Sequence, residues 1–191
     1  APSSTIKIEF QGGEPLLNWE TVTEIVRYAE KRNRQKGKGI EFVLCTNLTL
    51  IDKEKLAFIK DHCILVSTSL DGPRDLHDAN RILRTGKSSY ALFMEKLALT
   101  KDFLGKESVS ALMTTSVESL GRMRDIVDEY IHQGFNGIFL RALNPFGYAK
   151  ADFKTLGYNI EAFIEAYKDV LAYIIELNIK GIYFEEYYTS L

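Results

Sequence analysis

The stretch Thr5-Ile-Lys-Ile-Glu-Phe10-Gln-Gly-Gly-Glu-Pro15, then the pattern from Asn18 to Gln35, then Ile40-Glu-Phe-Val-Leu-Cys-Thr46, decides the fold. The run ending at Phe10 reads as a strand, and Gly12-Gly13 closes it. Trp19, Val22, Ile25, Val26 and Tyr28-Ala29 recur at the spacing of one helix face. Lys36-Gly-Lys-Gly39 stops that helix and a second apolar run begins. A strand, a helix and a strand in this order form a βαβ unit, whose strands are parallel.

Outward from this unit the alternation continues. A helix opens at Asp52, whose carboxylate can cap the amides of Glu54 or Lys55. Cys63 to Leu70 reads as a strand, followed by a polar loop and a helix from Ser88 to Phe103. Ser108 to Thr115 is a strand, with a helix from Glu118 to Gln133 closed by Gly134. Strand Gly137 to Ala142 leads through a loop with Pro145 and Gly147 to a helix from Asn159 to Asn178. Five βα units with strands mostly apolar on both faces predict an α/β fold, a parallel sheet covered by helices. Right-handed crossovers leave a curved partial barrel or a flat doubly wound sheet. No strand is followed by Gly-x-Gly-x-x-Gly or a phosphate loop, which argues against the flat form. No composition break precedes Gly181, and the aromatic-rich tail from Ile182 to Leu191 stops as though another element followed.

The chain has 191 residues, 24 basic against 26 acidic, a net charge of −2 and 46% hydrophobic residues, which predicts one domain with an ordinary core. Near-zero charge lacks the footprint of a nucleic-acid binder. No window reaches the roughly 18 to 20 uninterrupted apolar residues of a membrane span. Ala1-Pro-Ser-Ser-Thr-Ile-Lys7 does not read as a secretory signal, so the expected location is cytoplasmic. With no initiator Met and a strand beginning by residue 5, the chain reads as a piece of something longer. Cys45 and Cys63 are too few for a disulfide framework or a four-cysteine zinc site. On neighbouring parallel strands they would sit near opposite ends, about 20 Å apart, where a bridge needs Cα atoms within about 7 Å. Both read as small buried hydrophobes.

In parallel βα folds the chemistry lies at the C-terminal ends of the strands, where the polar residues of this chain gather. Gly12 and Gly13 let a ligand approach the backbone, Pro15 sits ahead of the helix, and Glu14 is either a carboxylate suited to an ammonium group or a capping residue. Asn47 and Thr49 bond a ligand or make a turn. Alternation puts Ser67, Ser69 and Asp71 on one face, a set costly to bury without partners and suited to a ribose. Asp71 also closes the turn Asp71-Gly-Pro73. Beyond it, Arg74, Arg81 and Arg84 offer bidentate binding of a carboxylate. His77 beside Asp78 invites a catalytic role, although a loop His held by its neighbours is commoner. Thr114, Thr115 and Arg141 follow at later strand ends. A buried Arg141 must meet a ligand, or an acid such as Glu14 or Asp71. This mouth suits a zwitterionic, ribose-bearing small molecule and does not identify a reaction or a catalytic residue.

These residues resemble a family. Phe10-Gln-Gly12-Gly13-Glu14-Pro15 is similar to the signature after the second barrel strand of radical S-adenosylmethionine enzymes. Thr46-Asn47-x-Thr49, Ser69-Leu-Asp71-Gly-Pro73, His77-Asp78-x-x-Arg81 and Gly86-x-x-Ser89 follow at the spacing of its anaerobic sulfatase-maturase and SPASM branch. Gly-Glu-Pro-Leu-Leu-Asn-Trp19, Thr-Asn-Leu-Thr in place of Thr-Asn-Gly, and Phe139-Leu-Arg141-Ala-Leu-Asn-Pro-Phe-Gly-Tyr look most like the maturase of His-Xaa-Ser peptide systems.

The resemblance implies strands two to six of a partial (β/α)6 TIM-like barrel, with residues 1–180 as core and 181–191 beginning a C-terminal extension. It implies a peptide or protein substrate, modified through a 5′-deoxyadenosyl radical. Gly12, Gly13 and Glu14 would hold the cofactor's amino group, with Pro15 and Asn47 beside them. Ser69, with Asp71 nearby, would face the ribose or shape the site. Arg81, Arg84 or Arg141 would face the methionine carboxylate. The protein would mainly position and shield. The family's 4Fe-4S cluster hangs from a CxxxCxxC loop that this chain lacks, and two cysteines cannot replace it, so the chain holds no metal ligands and is expected to be inactive alone. A cluster-less barrel acting as a peptide- or nucleotide-binding module is the alternative, and an ordinary TIM-barrel metabolic enzyme a weaker one. With the first strand absent, Thr5 to Phe10 becomes an open edge that favours self-association.

Overall fold

A computed structural model describes residues 3–83, 85–143 and 157–189. They divide into two units, Ala1–Thr68 with Ala91–Ser110, and Ser69–Tyr90 with Ala111–Leu191.

In the first unit, β1 (Thr5–Phe10) leads through a 3₁₀ turn at Pro15–Asn18 into α1 (Trp19–Asn33). Pro15 thus sits ahead of the helix, as expected, and opens the 3₁₀ turn that leads into it. β2 (Gly39–Cys45) pairs with β1 in parallel, Thr5 opposite Gly39 and Phe10 opposite Leu44. Asp52 caps α2 (Lys53–Asp61) by accepting the Lys55 N–H at 2.8 Å, as expected. β3 (Leu65–Ser69) then pairs with β2, Cys45 opposite Ser67. Val22, Val26, Leu44, Leu56, Ile59 and Val66 are buried as the core of this layer. The expectation of strands apolar on both faces fails for β1. Lys7 and Glu9 alternate with Ile6, Ile8 and Phe10 and are exposed, and Lys7 pairs with Glu41 at 3.3 Å. Cys63 is also corrected: it is exposed, at φ 51°, in the turn between α2 and β3. Cys45 is half-buried, and both cysteines are free.

The second unit begins at the end of β3. The segment that reads as a polar loop contains α3 (Arg74–Asn80), which buries Leu76 and His77. Its charged composition hides a helix whose burial rests on two residues. Gly72 makes the preceding turn at φ 123°, where a Cβ would stand 2.7 Å from the Ile126 side chain. After α4 (Ser89–Leu104) and β4 (Val109–Thr114), the helix expected from Glu118 to Gln133 is two, α5 (Val117–Leu120) and α6 (Met123–His132). The Ser119 hydroxyl bonds back to Ser116, and the chain leaves α5 at Gly121.

The strand expected from Gly137 to Ala142 also divides. β5 (Gly137–Ile138) pairs with β7 (Glu185–Glu186), whereas β6 (Leu140–Arg141) pairs with β4. Between them, Phe139 packs on Tyr188 at 4.1 Å between ring centroids. The helix expected from Asn159 is α7 (Ile160–Ile179), capped by the Asn159 side chain at 2.8 Å. Parallel strands β1, β2, β3, β4 and β6 follow in that order in the sheet, which establishes the α/β class. No helix among the described residues is long and apolar enough to cross a membrane.

Candidate functional site

The strand-end residues of the first unit centre on Glu14. Its Oε1 accepts the Leu16 N–H at 3.1 Å and the Thr46 hydroxyl at 2.6 Å, and its Oε2 accepts the Asn47 N–H at 2.8 Å. The carboxylate therefore caps the 3₁₀ turn and ties the loop after β1 to the loop after β2. Asn47 makes its own turn, accepting Thr49 N–H at 2.9 Å and the Thr49 hydroxyl at 2.6 Å. Leu48, buried completely, holds φ 62° in that turn. Gly12 lies at φ 141°, and a Cβ added at Gly12 or Gly13 would meet nothing within 4 Å. The loop is thus anchored through Glu14 and open at its glycines.

Below it, the Cys45 thiol donates to Glu9 at 3.2 Å. Burial, together with the Glu9 carboxylate, pushes this thiol up to about 11, so it stays protonated at neutral pH. Ser67 is buried nearby on β3.

In the second unit Asp71 is buried and held bidentately by Arg81, with Nε to Oδ2 at 2.7 Å and Nη2 to Oδ1 at 3.1 Å. Ser69 is half-buried at the end of β3. His77 is held by its neighbours. It is buried, packs edge-on against Tyr90 at 5.9 Å, and accepts the Asp71 N–H on Nδ1 at 3.4 Å. Burial pushes its imidazole down to about 4, although Asp71 pulls the other way, so it is neutral at pH 7. Asp78 accepts Tyr90 N–H at 2.8 Å and the Ser88 and Ser89 hydroxyls at 2.7 Å and 3.0 Å. Burial pushes this carboxyl up, but those bonds reverse the effect and leave it at about 2. It caps α4.

Asp71, Asn80, Arg81, Thr114, Ser116 and Leu143 line a cavity of about 280 Å³. Ser116, which the sequence pattern did not single out, is buried and stands as the N-cap of α5, in a capping box with Ser119, whose hydroxyl accepts the Ser116 N–H at 2.7 Å. Its signal was its place just past the end of β4, the position that singled out Asp71 after β3. Arg141 departs from expectation: it is exposed on β6, so no burial forces it onto an acid, and both Asp71 oxygens are taken by Arg81. Arg84 and the segment from Asn144 through Pro145 and Gly147 lie outside the described residues. Among the described residues, no three His, Cys, Asp or Glu side chains are grouped to hold a metal ion.

A family model described as the radical SAM superfamily matches residues 3–130. An uncharacterized protein of Methanocaldococcus jannaschii is 30% identical over 158 residues, 83% of this chain and 52% of that protein. The cysteine-type anaerobic sulfatase-maturating enzyme of Clostridium perfringens is 29% identical over 107 residues, 56% of this chain and 29% of that enzyme. The radical SAM cyclopropyl synthase TigE of Paramaledivibacter caminithermalis is 26% identical over 150 residues, 71% of this chain and 31% of that one. The solved structure described as native anSMEcpe with bound AdoMet and Kp18Cys peptide has the same fold, with a TM-score of 0.84 and 21% identity over 97% of this chain and 51% of that chain. The chain thus spans about half the length of the first relative and under a third of the other two.

Proposed function

The chain belongs to the radical SAM superfamily, and from that premise we propose that it is the core of an enzyme that uses S-adenosylmethionine to modify a peptide or protein. The observation that carries the reading is the Gly12-Gly13 loop. Its Cβ positions are empty to 4 Å while Glu14 fixes it between two strand ends, which suits close approach of a ligand to backbone. Bound there, the cofactor would supply a 5′-deoxyadenosyl radical for hydrogen abstraction.

The residues of this chain bind and orient. Gly12 and Gly13 face the amino group, with Glu14, Pro15 and Asn47 shaping their loop. Ser69 and Asp71 serve the ribose, and Arg81 or Arg141 the carboxylate. The iron–sulfur cluster does not fit the described residues, which offer no three-ligand group, and two cysteines are too few to hold one, so the proposed activity is that of the full-length protein. The sulfatase-maturating relatives and the peptide named with the solved structure support a peptide substrate in a SPASM-type maturase, in the manner of His-Xaa-Ser systems. The near-neutral charge supports an enzyme without a nucleic-acid partner. In this reading 1–180 are core and 181–191 begin an extension.

The test is anaerobic reconstitution of the full-length protein with iron and sulfide, then reduction in the presence of S-adenosylmethionine. Release of 5′-deoxyadenosine is expected. A full-length protein that takes up no cluster, releases no 5′-deoxyadenosine and binds a peptide or nucleotide would favour the cluster-less binding-module reading instead.

A further inference from the structure

α7 is apolar over a wider arc than its seat in the fold uses. Val170, Ile174 and Leu177 are its buried residues. Beside them Ile160, Ile164, Ile175 and Ile179 are exposed, at 55%, 42%, 53% and 81%. These four fall in one stripe of the helix, with Lys168 and Leu171 between the two pairs, because each step along it is three or four residues. Isoleucines exposed singly need no explanation, but four in one stripe mark a contact surface.

The order of the steps identifies what this surface meets. From Ile160 to Ile179 they are four, four, three, four and four residues, so the pattern reads the same from either end. A two-fold interface needs this property, since residue i of one copy meets residue j of the other and j meets i. Turned antiparallel about the point between Lys168 and Leu171, two copies of α7 set Ile160 against Ile179 and Ile164 against Ile175. Lys168 of one copy then lies against Leu171 of the other. Its methylene stem covers apolar surface there, while its ammonium stays at the edge with Glu165, 2.8 Å away. The ends agree. Glu161 stands in the first turn and Lys180 just past the last, so an antiparallel partner brings unlike charges together and a parallel one like charges. An anionic membrane fits less well, because Glu161, Glu165, Asp169 and Glu176 outnumber Lys168 and Lys180 along the helix.

We infer that the stripe is a dimer interface and that its occupant is α7 of a second copy, antiparallel and in this register. One helix pair lies at the small end of specific interfaces, so the dimer is weak and concentration-dependent. The inference does not depend on S-adenosylmethionine binding.

The test is sedimentation of the full-length protein, wild type and three variants, over a range of concentrations. Wild type is expected to form a dimer. Ile164→Glu and Ile175→Lys each set a charge against isoleucine, and each should raise the dissociation constant about tenfold or more. The double variant Ile164→Glu/Ile175→Lys sets glutamate against lysine twice across the two-fold, and should recover the wild-type constant to within about threefold. In a parallel pair the same double variant would bring like charges together and dissociate further. Both positions are exposed, so the thermal midpoints of the monomers should match. Single variants that dimerise as wild type does would assign association to another surface, such as the edge of β1, and overturn the inference. Single variants that dissociate with no recovery in the double variant would overturn the register, and the inference with it. A monomeric wild type would overturn it outright, and a midpoint that then falls in the single variants would assign the stripe to a segment of the same full-length chain.

Discussion

Glu14 accepts the Thr46 hydroxyl at 2.6 Å, joining the loop after the first strand to the end of the second. The same carboxylate takes two backbone N–H groups, from Leu16 and Asn47. A residue that resembles a ligand-binding carboxylate is therefore also a structural tie. Any loss of binding on its substitution includes a loss of loop geometry.

Glu14→Gln keeps the shape but turns an NH₂ toward either the Thr46 hydroxyl or the Asn47 N–H. The Thr46 hydroxyl can turn to accept, but one backbone N–H, that of Leu16 or that of Asn47, must lose its acceptor, which costs about 1–2 kcal/mol. Urea denaturation should show a lowered midpoint with an unchanged slope. Wild-type stability in this variant would mean that the tie is not formed in solution.

The Asp71–Arg81 pair predicts an asymmetry. The Arg81 side chain is 33% exposed and Asp71 only 4%. Removing the acid with Asp71→Asn leaves a cation that can turn toward water, at a cost of about 1 kcal/mol. Removing the cation with Arg81→Met strands a buried carboxylate, at a cost of about 3 kcal/mol. Equal destabilisation of the two variants in denaturant would contradict the burial assigned to Asp71.

His77 sets a pH dependence. Its folded value of about 4 lies below the ordinary 6.5, so between these limits the unfolded chain binds the extra proton. Stability then rises with pH across that window and falls on acidification from 6.5 toward 4, by up to about 3 kcal/mol. Asp78 acts lower, because its contribution is lost as pH falls from 3.8 toward about 2. His77→Gln should flatten the denaturation midpoint between pH 6.5 and 4.5. A slope there as steep as that of wild type would assign the effect to other groups.

The order of elements was legible because periodicity, glycine stops and caps such as Asp52 are local. The Thr-Asn-Leu-Thr turn could be quoted, yet nothing local said that Leu48 would be both buried and at positive φ. The Asp71–Arg81 pair depends on α3, whose charged surface masked its two buried residues. The division of Gly137 to Ala142 depends on β7, nearly fifty residues away. Ser116 carried only the signal of its place after β4, because the surroundings of a hydroxyl are decided by what packs over it.

Leu48 tests that turn. An ordinary residue at φ 62° carries strain of about 1 kcal/mol that glycine would not. The side chain is also fully buried, and truncating such a leucine costs about 2–5 kcal/mol. Both Leu48→Ala and Leu48→Gly should destabilise, but Leu48→Gly should equal or exceed Leu48→Ala in stability. In an ordinary strand or helix glycine is the worse by about 1 kcal/mol. Finding that usual order in urea titrations would contradict the left-handed turn.

The outer strand gives the last prediction. β1 ends the sheet order, so one of its edges has no strand beside it among the described residues. Ile6, Ile8 and Ile40 line a groove of about 440 Å³ together with Arg32 and Lys36. An open edge beside an apolar groove pairs readily with another chain, because pairing satisfies backbone groups and buries isoleucine at once. The exposed Lys7 and Glu9 on the other face oppose this only weakly, since Lys7 is already paired with Glu41. The 191-residue chain should therefore sediment as a concentration-dependent mixture including dimer. Ile6→Lys, which sets a charge at the start of the edge, should shift it toward monomer. Wild-type protein that stays monomeric across a hundredfold range of concentration, with the amides of β1 protected from exchange, would show that the edge is covered by something other than a second copy.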